Sequence, residues 1–340
     1  MVNLKSVQES NAALRSTISG QVSLFVGATS GIAFHTLTEY ARNSNRPKVY
    51  IVGRSDAKLA NIIRDLEKIN PQGSYVPIKS EISLLKNVDA ACEEFKKKEK
   101  SLDLLLMCPG YIKVSRIDNA DGLEDTISLR YYVRMRFVQN LLPLLSSQPS
   151  SRIVSIHGGG KEGHLNEADL ELKHTFSMRT AAVHTSTMNT LALGELASSH
   201  PSISFIHVFP GVVLTGGFTT LSEDWYFPLR FLFHWIVLPL VKPFTVSLQE
   251  SGERHLFHAT SARYSPLGVR DPPGAGVALP KGVEVAKGWD LKEGSGCYVL
   301  NWDGEKVGDE KLFEEYRKRE MGKKIWEHTQ EVFDRVLRVA

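Results

Sequence analysis

Six apolar runs of strand length alternate with helix-length segments in the first two thirds of the chain. The first run starts at Val22, and the others cover 48–55, 75–81, 102–110, 151–160 and 203–211. None of them alternates polar with apolar residues, which is typical of strands buried on both faces of a parallel sheet. The pattern predicts an α/β fold, a doubly wound parallel sheet (Rossmann fold).

The remaining segments divide the chain around this single domain. We expect an N-terminal arm at 1–18, the Rossmann core at 19–216, and a substrate lid with a Gly/Pro-rich loop at 217–292. A seventh strand at 294–302 and one amphipathic helix at 311–339 would make up the final part, 293–340. Long helices are predicted at about 126–145 and at 178–199.

Composition narrows the possible functions. With 340 residues, 42% of them hydrophobic, the chain can bury a full core. A net charge of +3 without a basic stripe argues against nucleic acid as a partner. The three cysteines lack metal-ligand spacing, and the N-terminus lacks the apolar core of a secretory signal. We therefore expect a cytoplasmic protein that needs no metal.

A glycine turn follows the first apolar run and opens a helical segment. It runs from Gly27 to Ala33, with the sequence GATSGIA. A strand that leads through such a turn into a helix aims unpaired backbone N–H groups, and the helix dipole, at one point. The turn therefore predicts a phosphate-binding site, although a plain strand-to-helix turn is the alternative.

The turn resembles the Gly-x-x-x-Gly-x-Gly motif of the short-chain dehydrogenase/reductase family, with Ala33 at its last position. With CPGY, NLLPLL and FPGVVLTGGF, the chain looks like divergent fungal members of secondary-metabolite pathways. Arg54 after the second strand, where NAD enzymes carry a carboxylate, favours NADP. The cofactor-binding residues that the motifs and the resemblance imply are Gly27, Thr29, Ser30, Gly31, Ile32, Arg54, Glu81, Gly110, Val213 and Thr215.

The residues that perform the family's chemistry are replaced in this chain. Alignment on the resemblance puts Phe176 at the tyrosine position, Thr180 at the lysine position and Gly158 at the serine position. Arg130 falls at the asparagine position, and Met107–Gly110 (MCPG) replaces Asn-Asn-Ala-Gly. Phenylalanine has no proton to transfer, so the usual acid is absent.

Arg130 and Asp169 are the candidate catalytic residues that remain. Arg130 offers a fixed cation for an oxyanion or a carboxylate, and Asp169 from the long loop after the fifth strand could pair with it. A structural salt bridge and a solvated loop are the alternative. His157 and His184 are expected at core or rim positions rather than in catalysis.

These residues leave three functions open. The first is an NADP-dependent oxidoreductase acting on a bulky apolar intermediate, the second a non-redox enzyme of the cyclase or isomerase type that uses Arg130, and the third an inactive binding protein. The apolar segment 226–244 predicts either a lid over a small apolar substrate or a peripheral membrane contact. Oligomerisation is compatible with all three.

Overall fold

A seven-stranded parallel sheet forms the centre of the molecule. The computed structural model describes residues 1–111, 115–215, 231–232, 235–236, 238–242, 245–269 and 274–338. The strand order is β3-β2-β1-β4-β5-β6-β7, and every neighbouring pair is parallel. The bounds are β1 Val22–Val26, β2 Lys48–Gly53, β3 Ser74–Lys79, β4 Leu104–Met107, β5 Ser151–Ile156, β6 Ile203–Val208 and β7 Cys297–Leu300. The predicted Rossmann fold is confirmed.

Helices cover both faces of this sheet. In chain order they are α1 Leu4–Thr17, α2 Gly31–Asn43, α3 Asp56–Ile69, α4 Leu85–Lys98, α5 Asp125–Ile127, α6 Val133–Ser146, α7 Met178–Ser199, α8 Leu238–Val241, α9 Leu248–Thr260, α10 Glu310–Lys318 and α11 Met321–Arg338. One core cluster lies between the sheet and α4, α6, α7 and α11, and a second lies between the sheet and α1, α2, α3 and α9. Because β5 and β6 are buried at every position, neither run alternates in polarity.

The ends of the chain are more helical than the sequence pattern indicated. The N-terminal arm contains α1, which packs against α9. There Asn11 Nδ2 donates to the Glu253 carbonyl at 2.8 Å. The single C-terminal helix expected at 311–339 is two helices, α10 and α11. The break is at Arg319 and Glu320, where Glu320 has a left-handed φ of 52°.

About half of the lid segment 226–244 lies outside the described residues. Four of its large apolar side chains that are described, Phe231, Trp235, Ile236 and Leu240, are 49% to 70% exposed. Among the described residues, no helix is both long enough and apolar enough to span a membrane. The choice between a lid and a membrane contact stays a prediction.

Candidate active site

A cleft of about 770 Å³ opens at the carboxyl ends of the strands. Its residues come from the strand ends and loops of β1 to β6, from the segment 125–134 and from α7. The strand order reverses between β1 and β4, and ligands of doubly wound sheets bind at such a switch point. The fold itself therefore places a binding site here.

The phosphate turn lies at the floor of this cleft. Gly27 and Gly31 have φ of 77° and 63°, a left-handed conformation that favours glycine. A Cβ at Gly27 would lie 2.7 Å from Pro109 N, and one at Gly31 would lie 3.3 Å from Thr215 Cγ2. Ser30 is the N-cap of α2, and its side chain makes no capping hydrogen bond. The side chain of Ser30 therefore does not block the first N–H groups of α2 from an anion.

Arg54 and Glu81 lie together at one edge of the cleft. Arg54 follows β2 and Glu81 follows β3, and Arg54 Nη1 is 3.3 Å from Glu81 Oε2. The two side chains are 75% and 47% exposed, and an ion pair this exposed contributes only about 0–1 kcal/mol. A bound phosphate can therefore replace Glu81 as the partner of Arg54.

The structure brings most of the predicted cofactor residues into the cleft. Those that line it are Gly27, Thr29, Ser30, Gly31, Ile32, Arg54, Glu81, Gly110 and Thr215. Val213 is 3% exposed and is not among the lining residues. Thr215 covers the start of α2, because its Cγ2 lies against Gly31.

Arg130 lines the cleft from a π-helical turn at Ser128–Tyr132, directly before α6. Its Nη2 donates to the Tyr111 carbonyl at 2.7 Å, and its own carbonyl accepts from Asn189 Nδ2 at 2.9 Å. Burial lowers the pKa of this guanidinium. Within the described ranges, no carboxylate lies at ion-pair distance from Arg130, so the cation is available to a ligand.

The expected pair between Arg130 and Asp169 is not formed. Asp169 instead accepts hydrogen bonds of 2.7 to 3.0 Å from the backbone N–H groups of Lys173, His174 and Thr175. A carboxylate held by three successive N–H groups organises its own loop. Asp169 therefore has a structural role in this conformation.

Phe176 and Thr180 also lie away from the cleft lining. Phe176 precedes α7 and packs against the core cluster. Thr180 forms a capping box with Ser177 at the start of α7. The residues of α7 that do line the cleft are Ala182 and Ser186, and Gly158 lines it as well. Counting residues across the loop before α7 therefore did not identify which residues of this helix line the cleft.

Arg134 is a buried cation at the cleft that the sequence analysis missed. It is 2% exposed, and its guanidinium donates to the carbonyls of Met107 (3.1 Å), Pro109 (2.7 Å) and Ile156 (3.0 Å) and to Ser155 Oγ (2.8 Å). It thus ties the ends of β4 and β5 together. Burial lowers its pKa to about 10. The sequence signal for this residue was its position four residues after Arg130, which puts both side chains on one face of a helix.

His157 and His207 stack at the end of β5 with ring centroids 6.0 Å apart. The Gly158 N–H donates to His207 Nε2 at 3.1 Å, so that nitrogen carries no proton. Burial, with Arg134 and Arg130 nearby, holds the pKa of His157 well below its ordinary value. His157 is therefore a neutral rim residue, and it bonds Thr185 Oγ1 at 2.9 Å.

The charge of the cleft favours an anionic ligand. Arg54, Arg130, Arg134 and Lys161 line it, against the carboxylates of Glu81 and Asp125. In the described part of the chain, no cluster of three or more histidine, cysteine or acidic side chains could hold a metal ion.

Comparisons with known proteins agree with this geometry. A model of the short chain dehydrogenase family matches residues 21–224. An oxidoreductase of Emericella nidulans is 43% identical over 99% of both chains, and the oxidoreductase andH of Emericella variicolor is 38% identical over 99% of this chain and 98% of that one. The RhlG/NADP active-site complex of Pseudomonas aeruginosa, 17% identical, shares the fold with a TM-score of 0.56 over 75% of this chain and 95% of that chain.

These matches cover the strands, the phosphate turn and the cleft described above, and the relatives span almost the whole chain. The resemblance carried by the sequence motifs is confirmed. The chain belongs to the short-chain dehydrogenase family, as an oxidoreductase with fungal relatives.

Proposed function

We propose that this oxidoreductase uses NADP(H) and acts on a bulky apolar intermediate of secondary-metabolite biosynthesis. The observation that carries the proposal is the start of α2, whose uncapped N–H groups lie beneath Thr215 in the same cleft as Arg54. Helix N-termini bind phosphate groups through both their N–H groups and their dipole. NADP carries a diphosphate, which the start of α2 would bind, and a 2′-phosphate, which Arg54 would bind.

Arg54 would select the phosphorylated form of the cofactor. A charge-assisted hydrogen bond contributes about 1.5–3 kcal/mol, whereas the exposed pair with Glu81 contributes about 0–1 kcal/mol. The 2′-phosphate of NADP would therefore replace Glu81 at the guanidinium, and Glu81 would stay at the adenosine end.

The substrate end of the cleft would stabilise negative charge. The reduced cofactor, when bound, supplies a hydride to a carbonyl carbon of the substrate. Arg130 then holds the resulting alkoxide until it takes a proton from water, since His157 is neutral and Phe176 lies elsewhere. Apolar side chains at this end, among them Leu129, Ile156 and Phe209, suit an apolar substrate.

Titration calorimetry with NADPH and NADH tests the cofactor. We expect NADPH to bind more tightly, and Arg54→Ala to weaken NADPH about 10- to 100-fold while leaving NADH within about twofold. Arg64→Ala, on the exposed face of α3, is the control and should change neither affinity. Equal affinities of the wild-type protein for the two cofactors, or no binding of either, would contradict the proposal.

A non-redox reaction of the cyclase or isomerase type is the second candidate. The cation of Arg130, which has no carboxylate partner among the described residues, favours it. The substrate for the test is the compound that accumulates when the gene is deleted in its host. With this compound, the measurement of deuterium transfer separates the two functions. Deuterium from 4-deuterated NADPH enters the product only if the reaction is redox, and a binding protein forms no product at all.

A further inference from the structure

Ser186 fills the space that the missing side chain at position 158 would occupy. A Cβ built on Gly158 would overlap Ser186 Oγ and would lie 3.2 Å from Ser186 Cβ. The two residues belong to different elements of the same wall, since Gly158 follows β5 and Ser186 lies in the third turn of α7. The hydroxyl of Ser186 therefore occupies space that a side chain on residue 158 would need.

Within the described ranges, the hydroxyl of Ser186 has no hydrogen-bond partner. Ser186 is 1% exposed and lines the cleft, and its Oγ makes no hydrogen bond to any part of the chain that the structure describes. By contrast, the hydroxyls of Thr185 and Thr187 on either side bond to backbone carbonyls of their own helix. Ser186 alone in this turn is oriented toward the cleft without a partner among the described residues.

The residues around Ser186 suit a hydrogen bond from its hydroxyl to a negatively polarised oxygen of a ligand. Lys161 lines the same wall, and its Cβ is 3.9 Å from the Cβ position of residue 158. Asn189, one helical turn after Ser186, donates to the Arg130 carbonyl and thereby fixes α7 against the π-helical turn. Ser186 thus shares the cleft with the cations Lys161 and Arg130, and such a setting favours a carbonyl oxygen as the acceptor of its hydrogen bond.

We propose that Ser186 is a catalytic residue that donates a hydrogen bond to the substrate's carbonyl oxygen, in the reaction proposed above on which this inference rests. It polarises the carbonyl and stabilises the oxyanion, and it transfers no proton. The chain has thus moved this donor from residue 158 on β5 to residue 186 on α7.

The test removes the hydroxyl from residue 186 and restores one at residue 158. With full-length protein, NADPH and the compound accumulating in the deletion strain, Ser186→Ala should lower kcat/KM about 100-fold and leave the Kd for NADPH unchanged. Ser198→Ala, an exposed serine of the same helix, should change kcat/KM by less than twofold. Gly158→Ser combined with Ser186→Ala should recover activity to within about tenfold of wild type, because residue 158 is outside the left-handed φ region. Gly158→Ala combined with Ser186→Ala should not recover it.

A Ser186→Ala variant within twofold of wild type would overturn the inference while leaving the proposed function intact. Failure of the wild-type protein to transfer deuterium from the cofactor would contradict the proposed function instead. If the relocated serine prevents folding, the infrared carbonyl stretch of the compound bound with NADP⁺ decides. It should shift to lower frequency in wild type relative to Ser186→Ala, and equal frequencies would overturn the inference.

Discussion

The two walls of the cleft are held by different parts of the chain. On one wall, the turn from Gly27 to Gly31 presents backbone N–H groups, and the glycines are required by φ and by close approach of Pro109 and Thr215. On the other, the exit of β5 and the first turns of α7 present side chains, and the sequence predicts that the residues the family uses there are replaced. Backbone geometry tolerates almost no substitution, whereas a side-chain donor can be supplied from a neighbouring element. The comparison explains how one wall can keep its motif while the side chains of the other change.

The largest effect is expected from a methyl group on the backbone wall. Gly27→Ala should lower the free energy of unfolding by about 4 kcal/mol and abolish NADPH binding, because its Cβ would meet Pro109 and its φ is 77°. Gly20→Ala is the matched control, since Gly20 has φ 72° with nothing within 4 Å. It should cost only about 1 kcal/mol. Urea denaturation and calorimetric titration measure both. Equal costs would show that the close approach to Pro109 does not constrain this wall.

Replacing Arg134 tests how much its buried guanidinium stabilises the ends of β4 and β5, which border the cleft. Arg134→Met removes the donor of three carbonyls at the ends of β4 and β5, so the free energy of unfolding should fall by about 3 kcal/mol. Arg136→Met, two residues later on α6, removes a partly exposed pair with Asp89 and should cost less. Urea denaturation of the two variants gives the comparison. An unchanged or increased stability of Arg134→Met would mean that desolvation of the cation outweighs its hydrogen bonds.

The smallest effect concerns His157 on the side-chain wall. Its pKa is lower in the folded protein than in the unfolded chain, so below about pH 6.5 the unfolded state binds the extra proton. Its contribution to stability is complete above pH 6.5 and should fall by about 1 kcal/mol between pH 6.5 and 5.5. In urea denaturation, the stability difference between wild type and His157→Gln should shrink by that amount. A difference independent of pH would show that folding does not lower the pKa of His157.

The two walls also differ in how far the sequence predicted them. The phosphate turn, Arg54, Glu81 and Thr215 were predicted from the motifs and the family resemblance. All of them line the cleft, because strand ends meet at one edge of a parallel sheet. Asp169, Phe176 and Thr180 were placed by counting across a loop, and the structure leaves all three outside the cleft lining. Arg134 and Ser186 gave no local signal beyond helical spacing, because each takes its role from a contact with another element.

The sequence by itself determined the order of strands and helices, the parallel sheet and the phosphate turn, since these follow from apolar periodicity and from glycines at the end of a strand. Only the tertiary structure decided which side chains meet at the substrate end. Arg134 is satisfied by carbonyls of two strands, and Ser186 lies over a glycine 28 positions earlier. The physical reason is that backbone conformation is set by neighbouring residues, whereas a side chain's partners depend on how distant segments pack.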